Sequence, residues 1–245
     1  MRTELRILAR PGAWPDIRAT GAMSARATAL DTVHLVGTAA TPVGGDELDI
    51  EIRVAAGARL RLRTVAATVA LPGRETSLSR AHWRLTVGPG GYLDFAPEPT
   101  VVADGAEHHA RTTVDLAADA RLHLAEHVQI GRTGEDEGRW RGDLIADRGG
   151  LPLLRHRLEL GAGATTDDLL TAPRALVSIL RVPDDTAART GGSAALLPLA
   201  AGGTLFTWTG GSLAEYRAVP LDETPSAASA TRFPARNSAV SAGLP

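Results

Sequence analysis

The sequence predicts an all-β fold, in which stacked β-sheets form a repeat-like, loosely β-solenoidal scaffold with few short helices. Three observations support this prediction. A short turn motif recurs along the chain, apolar and polar residues alternate on both sides of its copies, and helix signals are sparse. The copies recur at unequal intervals, which favours stacked sheets over a strict β-helix.

The recurring motif is an apolar residue, two spacers, Gly or Asp, a small residue, one spacer and usually Leu. Five copies begin at Val54, Val87, Leu116, Leu160 and Leu199. Gly provides the positive φ that a tight turn often needs, and Asp tolerates it, so each copy predicts a strand end, a turn and a strand start. The fourth copy is weaker because it lacks the final Leu.

The segments beside the turns alternate with the period of two that is typical of a half-buried strand. Before the first turn the apolar positions are Leu48, Ile50, Ile52 and Val54. A single unit of this kind cannot bury its apolar face alone, so neighbouring units must stack. We therefore expect the sheets to meet at the turns.

Helix signals are few. Ser212 and Glu215 have the spacing of a capping box and predict a short helix, and segment 166–176 could hold a turn or two that Pro173 limits. The β-branched segment 175–182 predicts a strand. Residues 221–245 are mostly small or polar and predict a disordered tail. The predicted organisation is an N-terminal segment at 1–32, a single β-rich domain at 33–220 and the tail at 221–245.

Composition limits the possible functions. The 245 residues have a formal net charge of −2, so no overall basic field attracts nucleic acid or an anionic membrane. The chain has no Cys, which excludes disulfides, thiolate metal sites and a thiol nucleophile. It also has no signal-peptide pattern and no run of about 18 apolar residues. These features predict a cytoplasmic protein.

The segment His123, Glu126 and His127 matches the H-x-x-E-H pattern of one class of zinc peptidases. That chemistry requires a helix, which places both histidines on one face with the glutamate nearby. Here the segment alternates with Leu122 and Leu124, which predicts a strand that directs Glu126 away from the two histidines. A polar strand face is therefore the preferred interpretation, and a metal-dependent hydrolase is the alternative.

Two other clusters of possible metal ligands have ordinary explanations. His108 and His109 are adjacent, so a strand would direct them to opposite faces, and exposed strand polarity is the simpler interpretation. The acidic run 135–137 lies between two glycines, where a loop could bind a hard cation but more often forms a solvated turn. No catalytic fingerprint is present, so these patterns alone also leave open a generic β-rich binding module.

Several short segments, in a consistent order, resemble the UreD (UreH) family of urease accessory proteins. They are Val43-Gly-Gly-Asp46, Thr64-Val-Ala-Ala-Thr68, Phe95-Ala-Pro-Glu-Pro-Thr100 and Ile130-Gly-Arg-Thr-Gly-Glu135 followed by Gly138. Each segment is short, but their order and spacing agree from about residue 33 to 182. The last 60 or so residues match the family poorly.

The resemblance implies a non-catalytic, β-rich maturation scaffold. It implies a hetero-oligomeric complex with UreF, with the GTPase UreG and with urease apoprotein, and assistance to nickel insertion. It also implies an internal passage in which nickel is held only in transit and no cofactor is bound tightly. Glu98, Glu126, Glu135 and Asp46 lie in or beside the matching segments and are the candidate carboxylates of that passage.

Overall fold

The structure is a computed structural model, and it describes residues 1–165, 167 and 171–217. Strands dominate this part of the chain, which confirms the predicted all-β, stacked-sheet class. The strands are β1 Arg2–Ala9, β2 Asp16–Thr20, β3 Met23–Ala29, β4 Thr32–Gly37, β5 Glu47–Val54, β6 Arg59–Thr64, β7 Thr68–Ala70, β8 Leu78–Val87, β9 Tyr92–Phe95, β10 Thr100–Val102, β11 Glu107–Leu116, β12 Arg121–Ile130, β13 Arg139–Arg148, β14 Leu151–Gly161, β15 Ala175–Val182, β16 Arg189–Gly191, β17 Ala194–Pro198 and β18 Thr204–Gly210. A short helix, α1, spans Leu213–Arg217.

The strands form two sheets. Sheet A has the order β14-β13-β11-β8-β5-β1-β2, and sheet B has the order β16-β17-β18-β15-β12-β9-β6-β4-β3. In sheet B, β10 pairs with both β12 and β7. The central strands of sheet A, from β1 to β13, are parallel, as are β4, β6, β9 and β12 in sheet B. The chain thus alternates between the sheets and adds parallel strands as a solenoid does.

The core lies between the two sheets and follows the alternation seen in the sequence. The inward positions of β5 are buried, and in register they meet the inward positions of β8, as in the pair Ile52 and Leu85. An aromatic contact adds to the aliphatic packing, because the rings of Trp83 and Phe95 lie tilted against each other with centroids 5.0 Å apart. The outward positions of the same strands are largely charged, so each strand has one apolar and one polar face.

Three of the five turn motifs connect the sheets as predicted. Those that begin at Val54, Val87 and Leu116 join β5 to β6, β8 to β9 and β11 to β12. Successive turns stack through backbone hydrogen bonds, for example from the Gly57 N–H to the Pro89 carbonyl at 2.8 Å. Gly57 has a φ of +68°, the left-handed conformation that favours glycine.

The remaining two copies differ from the prediction. The motif that begins at Leu160 follows β14 but leads to helical residues at 165 and 167, not to a strand. The motif that begins at Leu199 joins β17 to β18, which are antiparallel neighbours within sheet B. A tight turn of this kind fits a hairpin as well as a corner between sheets, so the motif alone does not determine which is formed.

Two other predictions for the C-terminal half are confirmed. Segment 175–182 is β15, and helix α1 begins after Ser212, whose Oγ accepts a hydrogen bond from the Ala214 N–H at 3.2 Å. Residues 1–32 contribute β1, β2 and β3 to the sheets. The predicted tail at 221–245 lies outside the described residues. Among the residues that are described, no helix is long and apolar enough to cross a membrane.

Candidate functional site

Sheet B has a break beside β12. Strand β9 pairs with residues 121–124 of β12, and β10 pairs with residues 128–130. Between these two paired stretches, the backbone pairing on this side of β12 is interrupted at residues 125–127. The neighbouring strands are interrupted at the same level, because β6 ends at Thr64 and β7 begins at Thr68. The interruptions align and leave a gap in the sheet.

The sequence of segment 96–99 explains the gap. Pro97 and Pro99 have no backbone N–H, so neither can donate to a strand ladder. The N–H of Glu98 donates to the Oγ1 of Thr64 at 2.8 Å, and the Pro99 carbonyl accepts from the Thr68 N–H at 2.9 Å. These bonds replace regular pairing between the two segments. Both segments belong to the family-like stretches identified in the sequence.

A cavity of about 80 Å³ lies between the sheets and extends into this gap. Its lining includes Leu124 and Glu126 from the inner face of β12, and Ala125 and His127 from the outer face. A cavity that touches both faces of one strand passes beside that strand, so it leads from the core towards the outer surface of sheet B. Its mouth is lined by Thr64, Thr68, Pro97, Glu98 and Thr100. The volume is sufficient for several water molecules.

Glu126 is the carboxylate inside the cavity. Its neighbours on the same face of β12, Leu124 and Val128, are buried in the core. Burial raises the pKa of Glu126 well above its ordinary value, to about 7. The side chain therefore exists in both protonated and ionised forms near neutral pH, which suits a group that exchanges a proton for a cation.

His108 lines the same cavity from sheet A. It is only 4% exposed, and burial, together with the nearby His109, lowers its pKa to about 4. The imidazole is therefore neutral at pH 7. Its Nδ1 lies 2.9 Å from the Oγ of Ser79, which also lies within reach of the Glu107 carbonyl at 3.4 Å. When Ser79 donates to that carbonyl, Nδ1 carries the proton and Nε2 keeps its lone pair.

A second, smaller cavity of about 10 Å³ adjoins the first. Glu126 and Ser178 line both cavities, and His156 of β14 lines the smaller one. Desolvation lowers the pKa of His156. Since β14 is an edge strand of sheet A, the two cavities together place polar side chains from the gap in sheet B, past Glu126, to the edge strand β14.

The structure separates the four candidate carboxylates into two groups. Glu98 and Glu126 both line the larger cavity, Glu98 at the exposed mouth and Glu126 inside. Glu135 and Asp46 do not line it, and both have strong local partners. Asp46 accepts from the amino group of Met1 at 2.7 Å and from the Val43 N–H at 2.9 Å.

Glu135 stabilises its own loop. It forms an ion pair with the guanidinium of Arg132 and accepts from the N–H groups of Arg132 and Asp104 at 3.1 and 3.2 Å. The hydrogen bond from the Arg132 side chain is the main reason that the pKa of Glu135 falls to about 2. For Asp46, burial alone would raise the pKa, but the hydrogen bonds from the amino group, Val43 and Thr41 lower it.

The H-x-x-E-H segment lies on β12, and the strand geometry is as predicted. Glu126 is on the inner face, whereas His123 and His127 are on the outer face. His123 is engaged there by Asp94, with 2.9 Å between Nδ1 and Oδ1, and the ring of His127 lies 6.3 Å from that of Tyr216. The arrangement that a zinc peptidase requires is therefore not formed. Over the described part of the chain, no three metal-ligating side chains are grouped.

From the sequence, His108 was interpreted as an exposed polar residue of a strand. In the structure it is buried. The signal was available, because His108 has the same parity as the buried residues Val114 and Leu116 of β11. His156 was not recognised, although it alternates with Leu154 and Leu158. Neither position could be linked to Glu126 from sequence, since the three lie on different strands of two sheets.

Comparisons with known proteins agree on one family. A family model described as "UreD urease accessory protein" matches residues 20–231. Urease accessory protein UreD 1 of Saccharopolyspora erythraea is 45% identical over 179 residues, which cover 71% of this chain and 70% of the relative. The UreD protein of Frankia casuarinae is 44% identical over 185 residues (70% and 58%), and that of Streptomyces avermitilis is 38% identical over 185 residues (71% and 73%).

Proposed function

Because the chain belongs to the UreD family of urease accessory proteins, we propose that it acts as a cytoplasmic maturation scaffold through which nickel passes on its way to urease. The scaffold binds the UreF–UreG assembly and urease apoprotein, and it catalyses no reaction itself. The observation that supports the passage is the cavity beside β12, which brings two of the carboxylates singled out in the sequence to one continuous space.

The cavity offers nickel a short series of suitable ligands. Carboxylate and imidazole groups both bind Ni²⁺, and the cavity presents Glu98 at its mouth, Glu126 inside and neutral His108 on the opposite wall. Hydroxyl groups of Thr64, Thr68 and Thr100 line the mouth and can replace part of the ion's hydration shell. An ion that meets its ligands one after another is held less firmly than one in a closed site, which favours transfer.

Glu126 provides the exchange step inside the cavity. With a pKa near 7, the carboxyl group loses its proton to water at little cost when it binds an arriving cation, and it takes up a proton from water when the cation leaves. A carboxylate that remained fully ionised inside the cavity would retain a divalent cation more strongly. At Glu126, nickel binding is therefore coupled to release of a proton, and uptake of a proton is coupled to release of nickel.

Replacing Glu98 or Glu126 with Gln is expected to reduce urease activation at limiting nickel. Loss of one ionic contact of about 1.5 kcal/mol corresponds to about a tenfold increase in the nickel concentration needed for half-maximal activation. The measurement is urease activity against added nickel in cells that carry the complete operon. A pull-down from the same cells measures complex formation, which we expect to remain at the wild-type level because these side chains line a cavity.

Glu4→Gln is the matched control, because Glu4 lies on the outer face of sheet A with a half-exposed side chain. It should leave the nickel dependence unchanged. Glu135→Gln and Asp46→Asn test the two carboxylates outside the cavity, and we expect any loss of activation in these variants to persist at high nickel. Wild-type nickel dependence in both the Glu98 and Glu126 variants would contradict the passage.

A further inference from the structure

The two outer faces of the sandwich differ in charge. On sheet A, arginines and carboxylates alternate and pair, for example Arg2 with Asp49 at 3.1 Å and Arg84 with Asp49 at 3.3 Å. On sheet B, strands β3, β4, β6, β9 and β12 are all described, and they direct five arginines outward against one carboxylate, that of Asp94. The outer face of these five strands therefore has an excess of positive charge that their own carboxylate does not neutralise.

Four of these arginines form a connected group with two residues of β9. We call this group the arginine ladder, and it comprises Arg59, Arg61, Arg63, Tyr92, Asp94 and Arg121. The guanidinium groups of Arg59 and Arg121 lie over the Tyr92 ring, 5.6 and 5.4 Å from its centroid. Asp94 lies 2.6 Å from Arg63, 3.6 Å from Arg61 and 2.9 Å from His123.

In the part of the chain that the structure describes, the arginine ladder has ionic partners at one end and none at the other. Arg61, Arg63 and His123 share the single carboxylate of Asp94. Within the described residues, no carboxylate lies within 4 Å of the guanidinium of Arg59 or Arg121. Their stacking on Tyr92 fixes both groups in place, which lowers the conformational entropy lost when a ligand binds them. The ladder is thus prepared to accept carboxylates from outside the chain.

The arginine ladder ends at the mouth of the cavity. Arg63 is followed by Thr64, which lines the mouth, and His123 is followed by Leu124, which lines the cavity. Val65 at the same edge is 59% exposed, so the rim combines charged groups with an apolar side chain, as protein interfaces commonly do. A protein that covered the ladder would also cover the mouth.

We propose that the arginine ladder is the docking surface for a protein with a carboxylate-rich face, and that this partner exchanges nickel with the chain at the mouth. The nickel exchange rests on the proposed function; the docking rests on the charge and geometry of the face. A partner that passes on a cation commonly has carboxylates around its own opening. Each guanidinium group of the ladder can bind one such carboxylate through two parallel N–H groups. The same arginines repel free Ni²⁺, so the ion reaches the mouth from the docked partner.

Nucleic acid is the less suitable occupant. The net charge of −2 gives the chain no overall attraction for a polyanion, and the exposed carboxylate of Glu98 stands at the mouth beside the ladder. A folded protein can place its carboxylates over the arginines and avoid Glu98, and it can also contact Val65. A continuous phosphate backbone offers neither feature.

The test compares charge reversal on the two faces. Arg59→Glu/Arg121→Glu alters the ladder, and Arg80→Glu/Arg111→Glu, at exposed positions on the outer face of sheet A, is the matched control. Purified urease apoprotein, UreF and UreG are each immobilised, and binding of the full chain is measured at low and at high salt. We expect the ladder variant to bind one of them about tenfold or more weakly, with a smaller salt dependence. The control should bind as the wild type does.

A milder variant, Arg59→Ala/Arg121→Ala, removes the charge without reversing it, and circular dichroism and thermal melting verify the fold of each variant. Equal binding by the wild type and both correctly folded ladder variants would overturn the docking surface, although nickel-dependent activation could still support the proposed function. Failure of the wild type to bind any of the three proteins would overturn both. Ladder-dependent binding of duplex DNA in place of these proteins would also overturn the proposal.

Discussion

Trp140→Ala is expected to lower the free energy of unfolding by about 3–5 kcal/mol, since the deletion leaves a large void in a packed interior. Trp140 is 1% exposed and packs among Val102, Val128, Ile130 and other residues from both sheets. Its ring lies over Gly142, where an added Cβ would lie 2.1 Å from the ring edge. The ring therefore fills the space over Gly142, and its deletion leaves a void there.

Equilibrium unfolding in urea, followed by far-ultraviolet circular dichroism, measures this loss. Trp14→Ala is the matched control, because Trp14 is 59% exposed in the loop between β1 and β2, and we expect a change of no more than about 0.5 kcal/mol there. Equal losses in the two variants would show that the interior around Trp140 is not packed as described.

Glu126→Gln is expected to stabilise the protein relative to the wild type, by an amount that grows with pH. The folded state raises the pKa of Glu126 from 4.5 to about 7, so folding favours the protonated form. The stabilisation that the protonated Glu126 provides is complete below the pKa of the unfolded state, 4.5. It is lost as the pH rises through the pKa of the folded state, about 7. At 1.36 kcal/mol per pKa unit, the wild type loses about 2–3 kcal/mol between pH 5 and pH 8 from this group, and the Gln variant does not.

Urea unfolding of both proteins at pH 5 and pH 8 tests this expectation. Glu4→Gln serves again as the control, since the half-exposed Glu4 side chain should give the same difference from wild type at both pH values. If the difference between Glu126→Gln and the wild type does not increase with pH, Glu126 is not held in a desolvated environment. The proton exchange proposed for nickel transfer would then lose its basis.

These two predictions concern neighbouring parts of the interior. Trp140 and Glu126 both line the smaller cavity, so a packed aromatic ring lies close to a desolvated carboxyl group. The Glu126 substitution should increase stability at neutral pH but reduce nickel-dependent activation. Residues that lower stability but assist function are expected at a functional site on a rigid scaffold.

The sequence by itself determined the strands and the direction of most side chains. Alternation with Leu122 and Leu124 separated Glu126 from His123, and the β-branched segment defined β15. The first three turn motifs marked the corners between the sheets, and Ser212 marked the start of the helix. These features follow from local properties, because backbone geometry alone fixes the period of two and the cap of a helix.

Only the tertiary structure decided which residues meet. Glu126 and Glu135 are both glutamates in or beside family-like segments, yet one lines a cavity and the other pairs with Arg132. His108 joins Glu126 only because β11 and β12 lie in opposing sheets, and the gap exists only because the break between β9 and β10 aligns with the break between β6 and β7. Such contacts depend on the register between strands distant in sequence, and no local pattern specifies that register.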